Sequence, residues 1–224
     1  MNRPTDLRPI SATVYFLPLR LRVPLKFGKE TVTRATCARV RLRVRDRLGR
    51  ETEGWGETPL SATWVWPSTL TFEHREEALK TFTLQLAQAW ARHDVLGHAM
   101  EVGHAFQEHV LPRLQREFNA TRGPGSEPMP WLAALVCCSA FDLALHDAYG
   151  HAVDRPVYET YGPDFLNHDL SHYLRPAAGT TVSFAGRYPR DFLTTRPPAR
   201  LPVWHLVGGV DPIEPNDLTG NEPK

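Results

Sequence analysis

Hydrophobic and polar positions divide the chain into a β-patterned start, a helix-patterned middle and a proline-broken remainder. Residues 10–23, ISATVYFLPLRLRV, are rich in β-branched and aromatic side chains and predict a strand; Pro18, which cannot donate to a ladder, assigns it to a sheet edge. Residues 37–45 alternate without a break. Ala38, Val40, Leu42 and Val44 fall on one side and Arg39, Arg41, Arg43 and Arg45 on the other, the period of a strand with one core face and one wet face. The turn-like DRLG at 46–49 leads into RETEGWGE, so the second and third strands read as an antiparallel hairpin. The arginine row reads as a solvated face balanced by Glu51 and Glu53, not as a nucleic-acid stripe.

Beyond residue 66 the period becomes helical. Pro67-Ser68-Thr69 is a start signal, and Phe72, Leu79, Phe82, Leu86 and Trp90 share a face of a helix expected to end near Arg92. A second helix is expected from about Gly97 to Arg116, with Met100, Phe106, Val110 and Leu114 inward. Its His98, His104 and His109, with Glu101 and Glu108, invite a zinc reading, but their spacing does not match HExxH, and solvated helix surface is the preferred assignment. Residues 119–130, NATRGPGSEPMP, have linker composition and form the expected boundary between units at 9–129 and 130–224. Pro130 suits the first turn of a third helix, WLAALVCCSAFDLALHDAYG, apolar on nearly all sides and expected to close at Gly150. From 151 onward ten prolines punctuate short pieces, and only LPVWHLVGG at 201–209 predicts a buried strand.

Composition narrows the function. The 224 residues are 42% hydrophobic, enough for a substantial core, and 26 Lys plus Arg against 25 Asp plus Glu leave a formal charge of +1. No global field recruits nucleic acid or anionic membrane. No apolar run is expected to span a bilayer and MNRPTDLRPI lacks a signal-peptide core, so a cytoplasmic location is expected. Cys37, Cys137 and Cys138 offer neither a disulfide framework nor paired metal-ligand spacing and read as buried small hydrophobes. Lysine occurs only at Lys26, Lys29, Lys80 and Lys224.

Four stretches in succession, PLKFGKETVT (24–33), GWGETPLS (54–61), AALVCCSAFDLALHDAYG (133–150) and RPVYETYG (155–162), resemble the mandelate racemase and muconate lactonising branch of the enolase superfamily. The resemblance spans roughly residues 9 to 165. It implies an α+β fold in which a three-stranded antiparallel meander plus helices forms an enolase-like N-terminal capping domain, followed by an incomplete start of a (β/α)₈ barrel, with LPVWHLVGG as the first barrel strand. It implies that barrel residues hold Mg²⁺ with three carboxylates, that Lys or His bases remove a proton α to the carboxylate of a small organic acid, and that the complete enzyme is a homo-oligomer. It further implies that two capping loops, Pro24–Thr33 after the first strand and Thr58–Trp66 after the third, close over the barrel mouth. Phe27, Lys29, Trp64 and Trp66 are the substrate-facing residues expected there, while Trp55, between two glycines, is expected to pack under the sheet.

A barrel of this kind needs about 250 residues, and a Lys-x-Lys base pair is impossible with Lys224 the only lysine after position 80. Catalytic residues and metal ligands are therefore expected to be absent, with no Mg²⁺ bound by this chain. Asp142 and Asp147 match the family's helix phrase and are expected to be structural, bonded to nearby backbone or Arg. The resulting expectation is an N-terminal fragment of a Mg²⁺-dependent racemase, dehydratase or cycloisomerase that contributes a specificity lid. A stand-alone binding module derived from a capping domain is the alternative. An unrelated small enzyme ranks last, because no GxSxG elbow or recognisable cysteine nucleophile is present and His146 and His205 read as core-edge residues.

Overall fold

The alternating runs become an antiparallel meander of β1 (Leu7–Phe27), β2 (Glu30–Asp46) and β3 (Glu51–Pro59), neighbours in chain order. A computed structural model describes residues 3–27, 30–123, 126–194, 196, 198–204, 207, 211–218 and 220. β1 lies at the edge, where Pro18 stands opposite Thr36. The expected turn forms at 46–50: the Asp46 carboxylate accepts the N–H groups of Leu48 and Arg50, each at 2.9 Å, and Gly49 takes the positive φ of 81° that the reversal requires. Ala38, Val40, Leu42 and Val44 are buried, while the arginines opposite them pair across the strands, Arg39 with Glu57 at 2.6 Å and Arg45 with Glu51 at 2.6 Å. Glu57 joins the two glutamates expected to balance this face.

The segment Pro24–Thr33 is not the loop expected. After a register shift between Arg20 and Leu25, β1 and β2 run on as a hairpin, with Leu25 opposite Val32, Lys26 opposite Thr31 and Phe27 opposite Glu30. The β-branched run Thr31-Val32-Thr33 suits that extension.

Helices cover the apolar face of the sheet. α1 (Ala62–Val65) is a single short turn within the stretch expected to be loop. α2 (Phe72–Trp90) starts later than Pro67-Ser68-Thr69 because Thr71 is the cap, its hydroxyl accepting the His74 N–H at 3.3 Å. Leu79, Phe82, Leu86 and Trp90 are buried as the helical period predicts. The second predicted helix is α3 (Ala99–Ala105) and α4 (Leu111–Thr121), joined by a π-turn over Phe106–Val110. Pro112 explains the widening, since it cannot donate to the carbonyl four residues back and its ring crowds it.

α5 (Trp131–Val153) packs on β3 and β2 and against α2. It runs past Gly150 and ends at Asp154, which adopts the left-handed conformation at φ 51°. By length and composition α5 suffices to cross a membrane, contrary to the expectation of no such run; half of its most apolar window is buried within the protein. Its approach to β3 is close enough to dictate sequence. A Cβ at Gly54 would lie 2.1 Å from the Ala148 nitrogen, and one at Gly56 2.2 Å from the Ala140 oxygen. Trp55, between them, must therefore point the other way. It stands on the wet face, 42% exposed, stacked on Tyr15 at 5.9 Å and lying under Arg41, not beneath the sheet as expected.

One buried cluster runs from Leu7 to Tyr149, and Asn119 receives the Met129 N–H at 2.8 Å. Past α5 the chain forms short 3₁₀ turns at Val157–Thr160, Leu170–His172 and Pro189–Phe192, anchored by buried Leu166 and by Asn167, whose side chain donates to Glu101 at 2.8 Å. The predicted strand at 201–209 is not seen in its described part. Leu201 to Trp204 is irregular and Trp204 is 94% exposed; positions 205, 206, 208 and 209 lie outside the described residues. A buried strand needs neighbours on both sides, and no described strand supplies them there.

A candidate ligand cleft under the hairpin

Where the β1–β2 hairpin extends past the sheet, the chain after β3 turns back beneath it as α1. Between them lies a cleft of about 330 Å³ walled by Leu25 and Val32 from the hairpin, Leu60 and Trp64 from the returning segment, and Phe72 at the start of α2. Trp64 projects from α1 with 51% of its surface exposed. Three polar residues line the cleft: the Thr63 hydroxyl donates to Glu30 at 3.1 Å, Arg34 donates to Glu73 at 2.8 Å with its guanidinium 5.0 Å from the Phe72 ring centre, and Ser61 adds a hydroxyl to the returning segment's wall. The chamber is thus apolar with a polar rim.

One buried cation holds the two sides together. Arg75, only 2% exposed, sends Nη1 to the Trp66 carbonyl at 2.8 Å and Nη2 to both carboxylate oxygens of Glu30 at 2.9 Å. Glu30 opens β2 at the hairpin, and Thr63 and Trp66 belong to the segment carrying Trp64. Through Arg75 the hairpin, that segment and α2 share one ion pair. The Arg75 hydrogen bond holds the Glu30 carboxyl below its ordinary range, outweighing the opposing effect of burial. Sequence inspection missed both residues. Glu30 lies in the quoted PLKFGKETVT, but the link to Arg75 spans 45 residues and leaves no local pattern.

The four expected substrate-facing residues have different fates. Trp64 lines the cleft. Trp66 is fully buried: its Nε1 donates to Glu127 at 2.9 Å and Arg122 lies 4.9 Å over its ring, so it is a core residue rather than part of the lid surface. Hydrogen bonds from Ser68 and then Trp66 hold the Glu127 carboxyl below its ordinary range. Phe27 ends β1 opposite Glu30, with its side chain outside the described residues, as is Lys29.

Other candidate chemistry lies away from the cleft. Asp147 accepts the Trp55 N–H at 2.8 Å and is structural as expected. Asp142 departs from its expected backbone or Arg partner: its carboxylate abuts Gly103, where an added Cβ would come within 2.3 Å, and its charged neighbour is His146. Burial pushes the Asp142 carboxyl up and the His146 imidazole down, each opposed by the other's charge, and His146 Nδ1 and the Tyr161 hydroxyl are 2.8 Å apart. The three cysteines are buried and unpaired with one another, and burial pushes the Cys137 thiol up to about 12. Among the described residues no group of three or more His, Cys, Asp or Glu is placed to hold a metal ion.

No protein-family model and no curated protein matches the chain. Its structure is similar to solved enolase-superfamily structures. One is the dipeptide epimerase of Enterococcus faecalis V583, complexed with Mg and the dipeptide L-Leu-L-Tyr, at 15% identity over 70% of this chain and 35% of that one, TM-score 0.36. Another is the L-talarate/galactarate dehydratase of Salmonella typhimurium LT2, at 16% identity over 70% and 34%, TM-score 0.38. A third is the L-Ala-D/L-Glu epimerase of Bacillus subtilis, at 17% identity over 69% and 34%, TM-score 0.33. The chain spans about a third of the length of these proteins.

Proposed function

We propose that these 224 residues form the capping, specificity-setting part of a Mg²⁺-dependent racemase, epimerase, dehydratase or cycloisomerase of the enolase superfamily, acting on a small organic acid. The metal ligands and proton-abstracting bases then belong to strand-helix units beyond these residues, with the complete enzyme a cytoplasmic homo-oligomer. The observation that carries the reading is the cleft: the two segments that the motifs PLKFGKETVT and GWGETPLS imply as lids do meet, and they enclose an apolar chamber with an exposed tryptophan on its wall. The role of this chain is then to exclude water from the substrate and select its side group, while the partner units supply charge stabilisation. The test is the DNA immediately downstream. The expected result is a frame encoding further strand-helix units with a Lys-x-Lys and carboxylates spaced at strand ends; a downstream region with neither overturns the enzymatic reading.

A single core running unbroken from Leu7 to Tyr149 favours a second reading, a self-sufficient binding module without chemistry. A monodisperse monomer that unfolds cooperatively, together with no such downstream frame, selects it.

A further inference from the structure

The chemistry of the cleft narrows the ligand further. Leu25, Val32, Leu60, Trp64 and Phe72 present carbon to the chamber, and the nearby hydroxyl of Thr63 and guanidinium of Arg34 are held by Glu30 and Glu73. With the Ser61 hydroxyl the one other polar side chain on the lining, a ligand that carries several hydroxyls into such a chamber gives up more contacts with water than it regains. A ligand with several hydroxyls is therefore rejected, and one with a hydrocarbon or aromatic end is accepted with burial of the exposed Trp64 face. The volume of about 330 Å³ lies within the range of sites for small organic molecules. The Arg75–Glu30 link holds the hairpin wall and the Trp64 wall together before any ligand arrives.

We infer that the cleft between the hairpin and α1 takes the apolar end of a carboxylate ligand, with its polar end left at the open rim, and that it discriminates against polyhydroxylated acids. This deepens the capping-domain reading and rests on it for the ligand being a carboxylate. The selection of an apolar end rests on the cleft alone.

The 224-residue chain is titrated with 4-phenylbutyrate, with butyrate and with galactarate, and binding is followed by saturation-transfer NMR. 4-Phenylbutyrate is expected to bind, butyrate at least about tenfold more weakly, and galactarate not at all. Trp64→Ala, a change on a half-exposed surface turn, is expected to weaken 4-phenylbutyrate at least about tenfold. Val32→Glu, which puts a charge into the opposite wall, is expected to do the same, each variant being checked for unchanged circular dichroism. Galactarate binding as well as 4-phenylbutyrate, or no binding by any of the three acids, overturns the inference. So does 4-phenylbutyrate binding that survives both substitutions. The two proposals fail separately: 4-phenylbutyrate seated against Trp64 with no catalytic units encoded downstream leaves the cleft standing and removes the enzyme.

Discussion

Arg75 shows how one side chain organises a region that neither its neighbours in sequence nor their motifs mark. Its guanidinium is buried and answers to Glu30, Thr71 and Trp66 at once, so its removal uncouples the hairpin from the Trp64 segment. A fully buried pair broken on one side typically costs about 3–5 kcal/mol; the Glu30 side chain keeps 36% of its surface in water and can rehydrate, which lowers the expectation for Arg75→Met to about 2 kcal/mol. The loss is expected to be local. Amide hydrogen exchange should rise at residues 31–33 and 62–66 and stay unchanged at 38–44, where β2 is held by β1 and β3 on both sides. Arg75→Lys should restore little, because an ammonium on a flexible stem does not reproduce the planar fork that reaches Glu30 and the Trp66 carbonyl together. Exchange that rises uniformly through the sheet would mean that Arg75 supports the core rather than the two cleft walls.

At the scale of elements, legibility follows how far away the deciding contact lies. β2 and the buried face of α2 were readable because burial on one side writes its period into consecutive residues, and Val40, Leu42, Leu79 and Phe82 are buried as that period requires. The hairpin beyond Arg20 was not readable, since its pairing resumes only after a register shift. Trp55 and Trp66 lie in a turn-rich stretch where no period assigns a side. The contacts that place them come from Asp147, 92 residues from Trp55, and Glu127, 61 residues from Trp66, so the expected positions of the two indoles were reversed. The same reach made half of the site illegible: Trp64 was marked by its motif, while Val32, Phe72 and the Arg75 clamp were not. The glycines of GWGE carry the clearest element-level consequence. Gly56→Ala places a methyl 2.2 Å from the Ala140 carbonyl oxygen and forces β3 and α5 apart along their whole contact. Overpacking against backbone has no side-chain rotamer to relieve it, so the expected cost is about 3 kcal/mol or more in denaturant unfolding, well above that of an ordinary surface substitution. A loss below about 1 kcal/mol would mean that the helix and sheet are not held this tightly.

The whole molecule should reveal its buried histidines through pH. His98 caps α3 from inside the core: its Nδ1 accepts the Met100 N–H at 3.1 Å, which leaves Nε2 to carry the proton and donate to the Thr160 hydroxyl at 2.9 Å. A second proton has no place on this ring, and burial, with the nearby His146 charge adding to it, lowers its pKa to about 3. In the unfolded chain the same ring takes its proton near pH 6.5. Between those values the unfolded state binds the additional proton, so stability contributed by His98 is complete above pH 6.5 and falls by about 1.4 kcal/mol per pH unit on acidification towards 3. His93 and His146, also lowered by burial, act in the same direction, while the raised carboxyl of Asp142 acts against them. The carboxyls held low in the folded state, Glu30 and Glu127 among them, contribute their losses only below about pH 4.5, so the interval from pH 6 to 5 separates the imidazoles from those carboxyls. Urea unfolding across that interval is expected to show a stability loss in the parent chain that His98→Gln reduces by close to one proton's worth, even though the variant begins less stable at pH 7 without the ring's full set of contacts. Equal slopes for the two chains would place the acid sensitivity elsewhere and show that His98 accepts its proton without leaving the core.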